Sequence, residues 1–150
     1  MRLVILGTGN MARAHAAHFA TIEGVESVAA VDVDGERAQA FAEAHHIGKW
    51  FASLDDALAW GRFDAVANVT PDRFHHKTTM AALAAGKHVF CEKPLATNHF
   101  DAEEMAATAQ KAGLVGMVNL TYRNVAELQK FREIVVSGEA FLIASMQRTN

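Results

Sequence analysis

Short uninterrupted apolar runs alternate along this chain with longer stretches in which apolar and polar positions mix at helical spacing. Leu3 to Leu6 is a continuous apolar run closed by Gly7. A run of that length without polar alternation predicts a parallel strand covered on both faces. A helix is expected from about Met11 to Thr21, a second strand over Ser27 to Val33, and an Ala/Glu-rich helix over Gly35 to His46. Lys49 to Ala52 reads as a weak short strand. Ser53 is the expected N-cap of a short helix that stops near Gly61. Asp64 to Thr70 predicts a fourth strand closed by Pro71, Phe74 to Ala85 a helix ended by Gly86, and His88 to Glu92 a fifth strand followed by Pro94. Asp101 with Glu104 three residues later has the form of a capping box, opening a helix that ends at Gly113. Val115 to Leu120 is the expected sixth strand.

This βαβα alternation predicts an α/β fold built on a doubly wound parallel sheet. After Leu120 the pattern changes. A helical stretch from about Val125 to Val136 leads through Gly138 into Ala140 to Met146, which is strand-like, apolar and without a following partner. The expected organisation is one domain over residues 1–122. Residues 123–150 then form a connecting helix and the first strand of a second α/β domain that the chain cuts off.

Composition narrows the class. Half the 150 residues are apolar (51%) and 21% are charged, as in an ordinary globular domain. A net charge of −3 lacks the basic footprint of a nucleic-acid binder. No stretch approaches the length of a membrane span, and the apolar run at the N-terminus is too short for a secretory signal. Cys91 is the single cysteine, so no internal disulfide forms, which fits a cytoplasmic setting.

The chemistry begins at Gly7-Thr8-Gly9-Asn10-Met11-Ala12, which fits G-x-G-x-x-G/A between a strand and a helix. The first glycine permits the tight turn, the second lets the backbone approach a pyrophosphate, and the small third position lets helix pack on strand. The helix N-terminus offers N–H groups and a partial positive charge to phosphates. Asp32, at the end of the second strand, completes this Rossmann signature. A carboxylate there accepts hydrogen bonds from the ribose hydroxyls and repels a 2′-phosphate, so NAD is expected and NADP is the less favoured cofactor. Arg37 is the nearby cation that would oppose this preference.

Further on stand Asp64-Ala65-Val66-Ala67-Asn68-Val69-Thr70-Pro71, then His75, then Gly86-Lys87-His88-Val89-Phe90-Cys91-Glu92-Lys93-Pro94. Together with Tyr122-Arg123 these closely resemble the Gfo/Idh/MocA family of glucose–fructose oxidoreductase, inositol dehydrogenase and their relatives. The resemblance implies that the Thr-Pro loop, the Gly-Lys-His-Val segment and Glu-Lys-Pro line the nicotinamide end of the cofactor. It places Lys93 by the nicotinamide ribose and the reacting hydroxyl, as the catalytic residue. It also implies cofactor contacts for Thr70, Pro71, His75, Glu92 and Arg123. The residues alone leave other roles open. Thr70-Pro71 can be a strand stop, His75 a structural hydrogen-bonder, Glu92 an orienter of Lys93 or a solvated acid, and Arg123 a solvated helix-start residue.

The expected activity is hydride transfer between nicotinamide and a hydroxyl-bearing carbon of a sugar, cyclitol or small polyol. The family's second domain carries the substrate contacts, so this chain represents the cofactor-binding half and is expected to be inactive alone. The alternative is a non-catalytic dinucleotide-binding sensor or scaffold. Eight histidines, with no HExxH or CxxC pattern, give no metal site. Cys91 reads as a buried, inert thiol. The uncharged apolar segment near the C-terminus predicts homo-oligomer formation through residues beyond about 138.

Overall fold

In the computed structural model, which describes residues 1–121 and 125–137, the apolar runs become one parallel sheet. The strands are β1 (Arg2–Leu6), β2 (Glu26–Val31), β3 (Trp50–Phe51), β4 (Ala65–Asn68), β5 (His88–Cys91) and β6 (Gly116–Val118). Their spatial order is β3-β2-β1-β4-β5-β6. The helices α1 (Asn10–Phe19), α2 (Gly35–Ala44), α3 (Leu54–Trp60), α4 (His75–Ala84) and α5 (His99–Lys111) connect them.

The unbroken apolar character of β1 follows from burial on both faces. Val4 and Leu6 pack with Ala57 of α3, Leu83 of α4 and Met105 of α5. Ile5, between them in sequence, packs with Ala12 and Ala16 of α1 and Phe41 of α2. The period-two geometry of a strand thus sends alternate side chains into two separate cores.

The chain divides into two compact units, Met1–Asn119 and Leu120–Asn150. In the second, α6 spans Ala126–Ser137. Residues 122–124 and 138–150 lie outside the described residues, and with them the expectations placed on Tyr122, Arg123 and the Ala140 to Met146 segment.

Two boundaries differ from the sequence expectation for a physical reason. The helix α5 starts at His99, because Asn98 is its N-cap and accepts from the Asp101 N–H. Asp101 instead sits in the first turn, where its charge complements the helix dipole, so Asp101/Glu104 is not a capping box. The helix expected from Phe74 is preceded by a 3-10 turn, Asp72–Phe74, and α4 itself begins at His75. Ser53 caps α3 as expected, accepting from the Asp56 N–H, and Gly61 ends it in the left-handed conformation.

Candidate functional site

Strand register assembles the site. Leu6 pairs with Val31 and Asn68, Asn68 with Cys91, and Cys91 with Val118, so the strands' carboxyl ends form one edge. The residues just beyond them are Gly7, Asp32, Val69-Thr70, Glu92 and Asn119. In open parallel sheets ligands bind outside this edge, where strand order reverses, here between β1 and β4.

The turn after β1 is shaped by Gly7, whose φ is +90°. A Cβ at Gly7 would lie 2.7 Å from the Val69 carbonyl oxygen, so the β1 and β4 turns approach too closely for any side chain. Gly9, the N-cap of α1, is different: no side chain caps the helix there, and a Cβ would meet nothing within 4 Å. The first glycine is therefore required by the fold, and the second leaves open space over a helix N-terminus, the cradle a pyrophosphate needs.

Asp32 is 6% exposed and accepts four hydrogen bonds. Its Oδ2 takes the Thr8 N–H at 3.0 Å and the Thr8 hydroxyl at 2.8 Å. Its Oδ1 takes the Asp34 N–H at 3.1 Å and Arg37 Nη2 at 2.6 Å. Burial pushes its carboxyl up, but these donors, Arg37 foremost, outweigh burial and hold it below the usual carboxylate range. Thr8 thus ties the glycine loop to Asp32 through both its N–H and its hydroxyl.

The Thr70-Pro71 turn is held from beneath. Asn68, fully buried, accepts from the Thr70 hydroxyl at 2.7 Å and donates to Thr78 Oγ1 at 2.7 Å. His75 is 1% exposed, with Nδ1 2.7 Å from the Pro94 carbonyl and Nε2 2.8 Å from the Thr70 carbonyl. A ring so enclosed has no surface for a ligand. Of the two roles open to His75, these partners fit the structural hydrogen-bonder, a tie between the Thr70 and Pro94 loops.

Glu92 is 6% exposed, and its carboxylate gathers donors from three elements. His15 Nε2 on α1 donates to Oε1 at 2.6 Å, and Asn119 Nδ2 after β6 donates to the same oxygen at 2.6 Å. The Lys93 N–H donates to Oε2 at 3.0 Å. Burial raises the carboxyl's pKa, and Asn119, His15 and Lys93 together more than reverse this, leaving it low. Glu92 therefore orients the Lys93 backbone, accepting its N–H through Oε2. Lys93 itself is exposed on the carboxyl edge, joined to Pro94 by a cis bond.

Lys87 departs from expectation too. It sits before β5, at the opposite sheet edge, where its Nζ donates to the Gly61 and Phe63 carbonyls at 3.0 and 2.7 Å. Gly86-Lys87-His88 is thus a structural join to the end of α3 and no part of the nicotinamide wall. Cys91 is buried, and burial pushes its thiol up to about 11, as an inert core group requires. On the surface His76 Nε2 lies 2.8 Å from Glu104 Oε2, an exposed pair with Asp101 nearby.

A crevice of about 510 Å³ opens on the carboxyl edge, and Gly7, Asp32, Val33, Arg37, Thr70, Pro71, Arg73 and Lys77 are among the residues that line it. An uncapped helix N-terminus under Gly9, a buried ionised Asp32 and an adjacent apolar-walled crevice together fit a dinucleotide. Arg73, Phe74 and Lys77 were not singled out in the sequence; Arg73 and Phe74 lie in the 3-10 turn after Thr70-Pro71 and Lys77 in the first turn of α4, and all three line the crevice. His15, Asn68 and Asn119 were missed as well. Asn119 stood inside the expected sixth strand, and only the register of β5 with β6 puts it just past the strand end, level with Glu92.

Fold and edge define a dinucleotide-binding domain. The comparisons with known proteins agree: residues 1–120 match the Gfo/Idh/MocA family model, described as an oxidoreductase family with an NAD-binding Rossmann fold. The chain belongs to that family. It is 36% identical to D-glucoside 3-dehydrogenase of Escherichia coli (strain K12) over 139 residues, 92% of this chain and 40% of that protein. The WlbA dehydrogenase from Bordetella pertussis, solved with NADH and UDP-GlcNAcA, superposes with a TM-score of 0.83 at 31% identity, covering 92% of this chain and 43% of that one. A 3-ketoreductase from Actinomadura kijaniata, solved with NADP and TDP-benzene, gives 0.84 at 27% identity, covering 92% and 42%. The chain spans about 40% of the length of the curated relatives it matches.

Proposed function

We propose that this chain is the cofactor-binding half of an oxidoreductase that moves hydride between nicotinamide and a hydroxyl-bearing carbon of a sugar, cyclitol or small polyol, with NAD the preferred cofactor. The carrying observation is the single sheet edge that collects an uncapped helix N-terminus, the buried Asp32 carboxylate and the exposed Lys93. The sugar-dehydrogenase names of the relatives support the substrate class.

When bound, the nicotinamide supplies the redox chemistry. The chain's residues bind and orient. The N–H groups at the start of α1 would hold the pyrophosphate and Asp32 the adenosine ribose, with Thr70-Pro71 lining the crevice. Lys93 Nζ stabilises negative charge developing on the substrate oxygen and exchanges its proton. Glu92, through the Lys93 N–H, and His75, through the Pro94 carbonyl, set where the Lys93 loop lies.

A sensor or scaffold module would make the same cofactor contacts and leave Lys93 idle. The deciding experiment is a dehydrogenase assay against a polyol and sugar panel, run on this chain and on a protein of the relatives' full length. Turnover by the longer protein alone is expected, with cofactor binding by both. Cofactor binding without turnover by the longer protein, across the panel, overturns the enzymatic reading.

The same reading includes self-association through the uncharged Ala140 to Met146 run and a cytoplasmic setting, supported by the lone buried thiol. Among the described residues no helix is long and apolar enough to cross a membrane.

A further inference from the structure

Two neighbouring helices bring three metal-ligating side chains together on the surface. His76 lies in the first turn of α4, and Asp101 and Glu104 lie one helical turn apart on α5. An imidazole nitrogen and one oxygen from each carboxylate all fall within 4.8 Å of one another. Among the described residues no other three His, Cys, Asp or Glu side chains converge in this way. Patterns such as HExxH do not report the set, because His76 and Glu104 stand 28 residues apart in the chain.

The donors are mixed. An imidazole beside two carboxylates suits a first-row transition ion, whereas oxygen-only sets suit magnesium or calcium. A zinc ion with bonds of about 2.0–2.2 Å holds neighbouring ligand atoms about 3.0–3.5 Å apart. His76 Nε2 and Glu104 Oε2 are 2.8 Å apart, so the pair opens only slightly to admit an ion. The ion takes the place of the Nε2 proton, and the neutral ring then carries its proton on Nδ1. Asp101 is already oriented, because Asn98 Nδ2 donates to its Oδ2 at 2.8 Å. Outer contacts of this kind hold a ligating carboxylate in place. The side chains of His76 and Glu104 are 32% and 57% exposed, so an ion enters from solvent and water completes its shell. The N-termini of α4 and α5 oppose a cation, each with roughly half a positive charge. Together they offset about one of the two carboxylate charges, and the site stays net negative.

We propose that His76, Asp101 and Glu104 form a structural site for a divalent transition ion of the zinc class, which staples α4 to α5. These helices follow the Thr70-Pro71 turn and the Lys93-Pro94 loop. The staple therefore reinforces, from the surface, the tie that His75 makes between the same two loops.

The test is calorimetric titration of zinc chloride into the metal-free 150-residue chain, for wild type, His76→Ala, Asp101→Asn, Glu104→Gln and the control His18→Ala. Circular dichroism verifies that each variant is folded. Wild type is expected to bind one ion per chain saturably, and His18→Ala to match it. Each of the three ligand variants should weaken binding by about tenfold or more, the loss of one protein ligand. Zinc should raise the melting temperature of wild type and leave that of His76→Ala unchanged, since only binding to the folded state stabilises it. With cobalt in place of zinc, the visible absorption of the wild-type complex should be lost in His76→Ala. Absence of saturable zinc binding to wild type overturns the proposal. So does binding that His76→Ala, Asp101→Asn and Glu104→Gln all leave at wild-type affinity.

Discussion

His15 Nε2 on α1 and Glu92 Oε1 after β5 lie 2.6 Å apart, joining the helix that starts at the glycine loop to the residue that precedes Lys93. The His15 ring also stacks on Phe19 and meets Phe90 edge-on, with centroids 5.7 and 5.4 Å away. A polar bond set in an apolar surround binds the cofactor loop and the Lys93 loop to one frame.

That contact makes acid stability predictable. Glu92 and Asp32 both have folded pKa values below their ordinary ones. Groups shifted in that direction contribute stability that is fully present above the unfolded carboxylate pKa, about 4. It is lost as pH falls through the lower folded values. Urea midpoints should therefore decline below about pH 4, and Glu92→Gln should flatten that decline while lowering the midpoint at neutral pH. His15→Ala should cost roughly 2 kcal/mol, as a charged hydrogen bond and ring packing are lost together. An unchanged midpoint in His15→Ala would show that the pair adds nothing.

The two glycines of the loop should separate fold from binding. Gly7→Ala places a Cβ 2.7 Å from a backbone oxygen at a φ of +90°, so it should destabilise the domain by about 2 kcal/mol or more. Gly9→Ala meets nothing within 4 Å, so its midpoint should stay within about 0.5 kcal/mol. Its cofactor affinity should nonetheless drop, because the methyl group occupies the space over the helix N-terminus. Thermal melts and calorimetric titration check both, and a Gly9→Ala chain with wild-type affinity contradicts the cradle.

Lys93 should affect turnover more than cofactor affinity, since its proposed partner changes charge only during hydride transfer. In a protein of the relatives' length, Lys93→Ala should lower kcat by about 100-fold or more and leave the NAD dissociation constant within a few-fold. Steady-state kinetics beside calorimetry decides it, and a normal kcat refutes the assignment.

Removing residues 139–150 should shift the chain toward monomer. The uncharged Ala-Phe-Leu-Ile-Ala-Ser-Met run is of the kind that pairs between chains. Sedimentation velocity on intact and shortened chains is the check, and identical monomer profiles for the two defeat the expectation.

By itself the sequence determined the parallel sheet, the element order, the glycine loop and Asp32. These follow from local rules: apolar run length, glycine spacing and the capping chemistry of residues such as Ser53. The tertiary structure decided what the polar groups at the sheet edge do. His15 lies 77 residues from Glu92 and Asn119 lies 27 from it, and no periodicity in one segment reports a hydrogen bond to another. His75 was legible as part of a motif, but only its burial between the Thr70 and Pro94 carbonyls makes it a tie between loops. Lys87 stood in the same segment as Lys93, yet β5 runs between them and carries them to opposite edges of the sheet. Arg37 was visible as a nearby cation, whereas its hold on Asp32 depends on the turn between β2 and α2 bringing the two within 2.6 Å. Motif spacing records which residues are near in the chain. Strand register and packing decide which atoms meet.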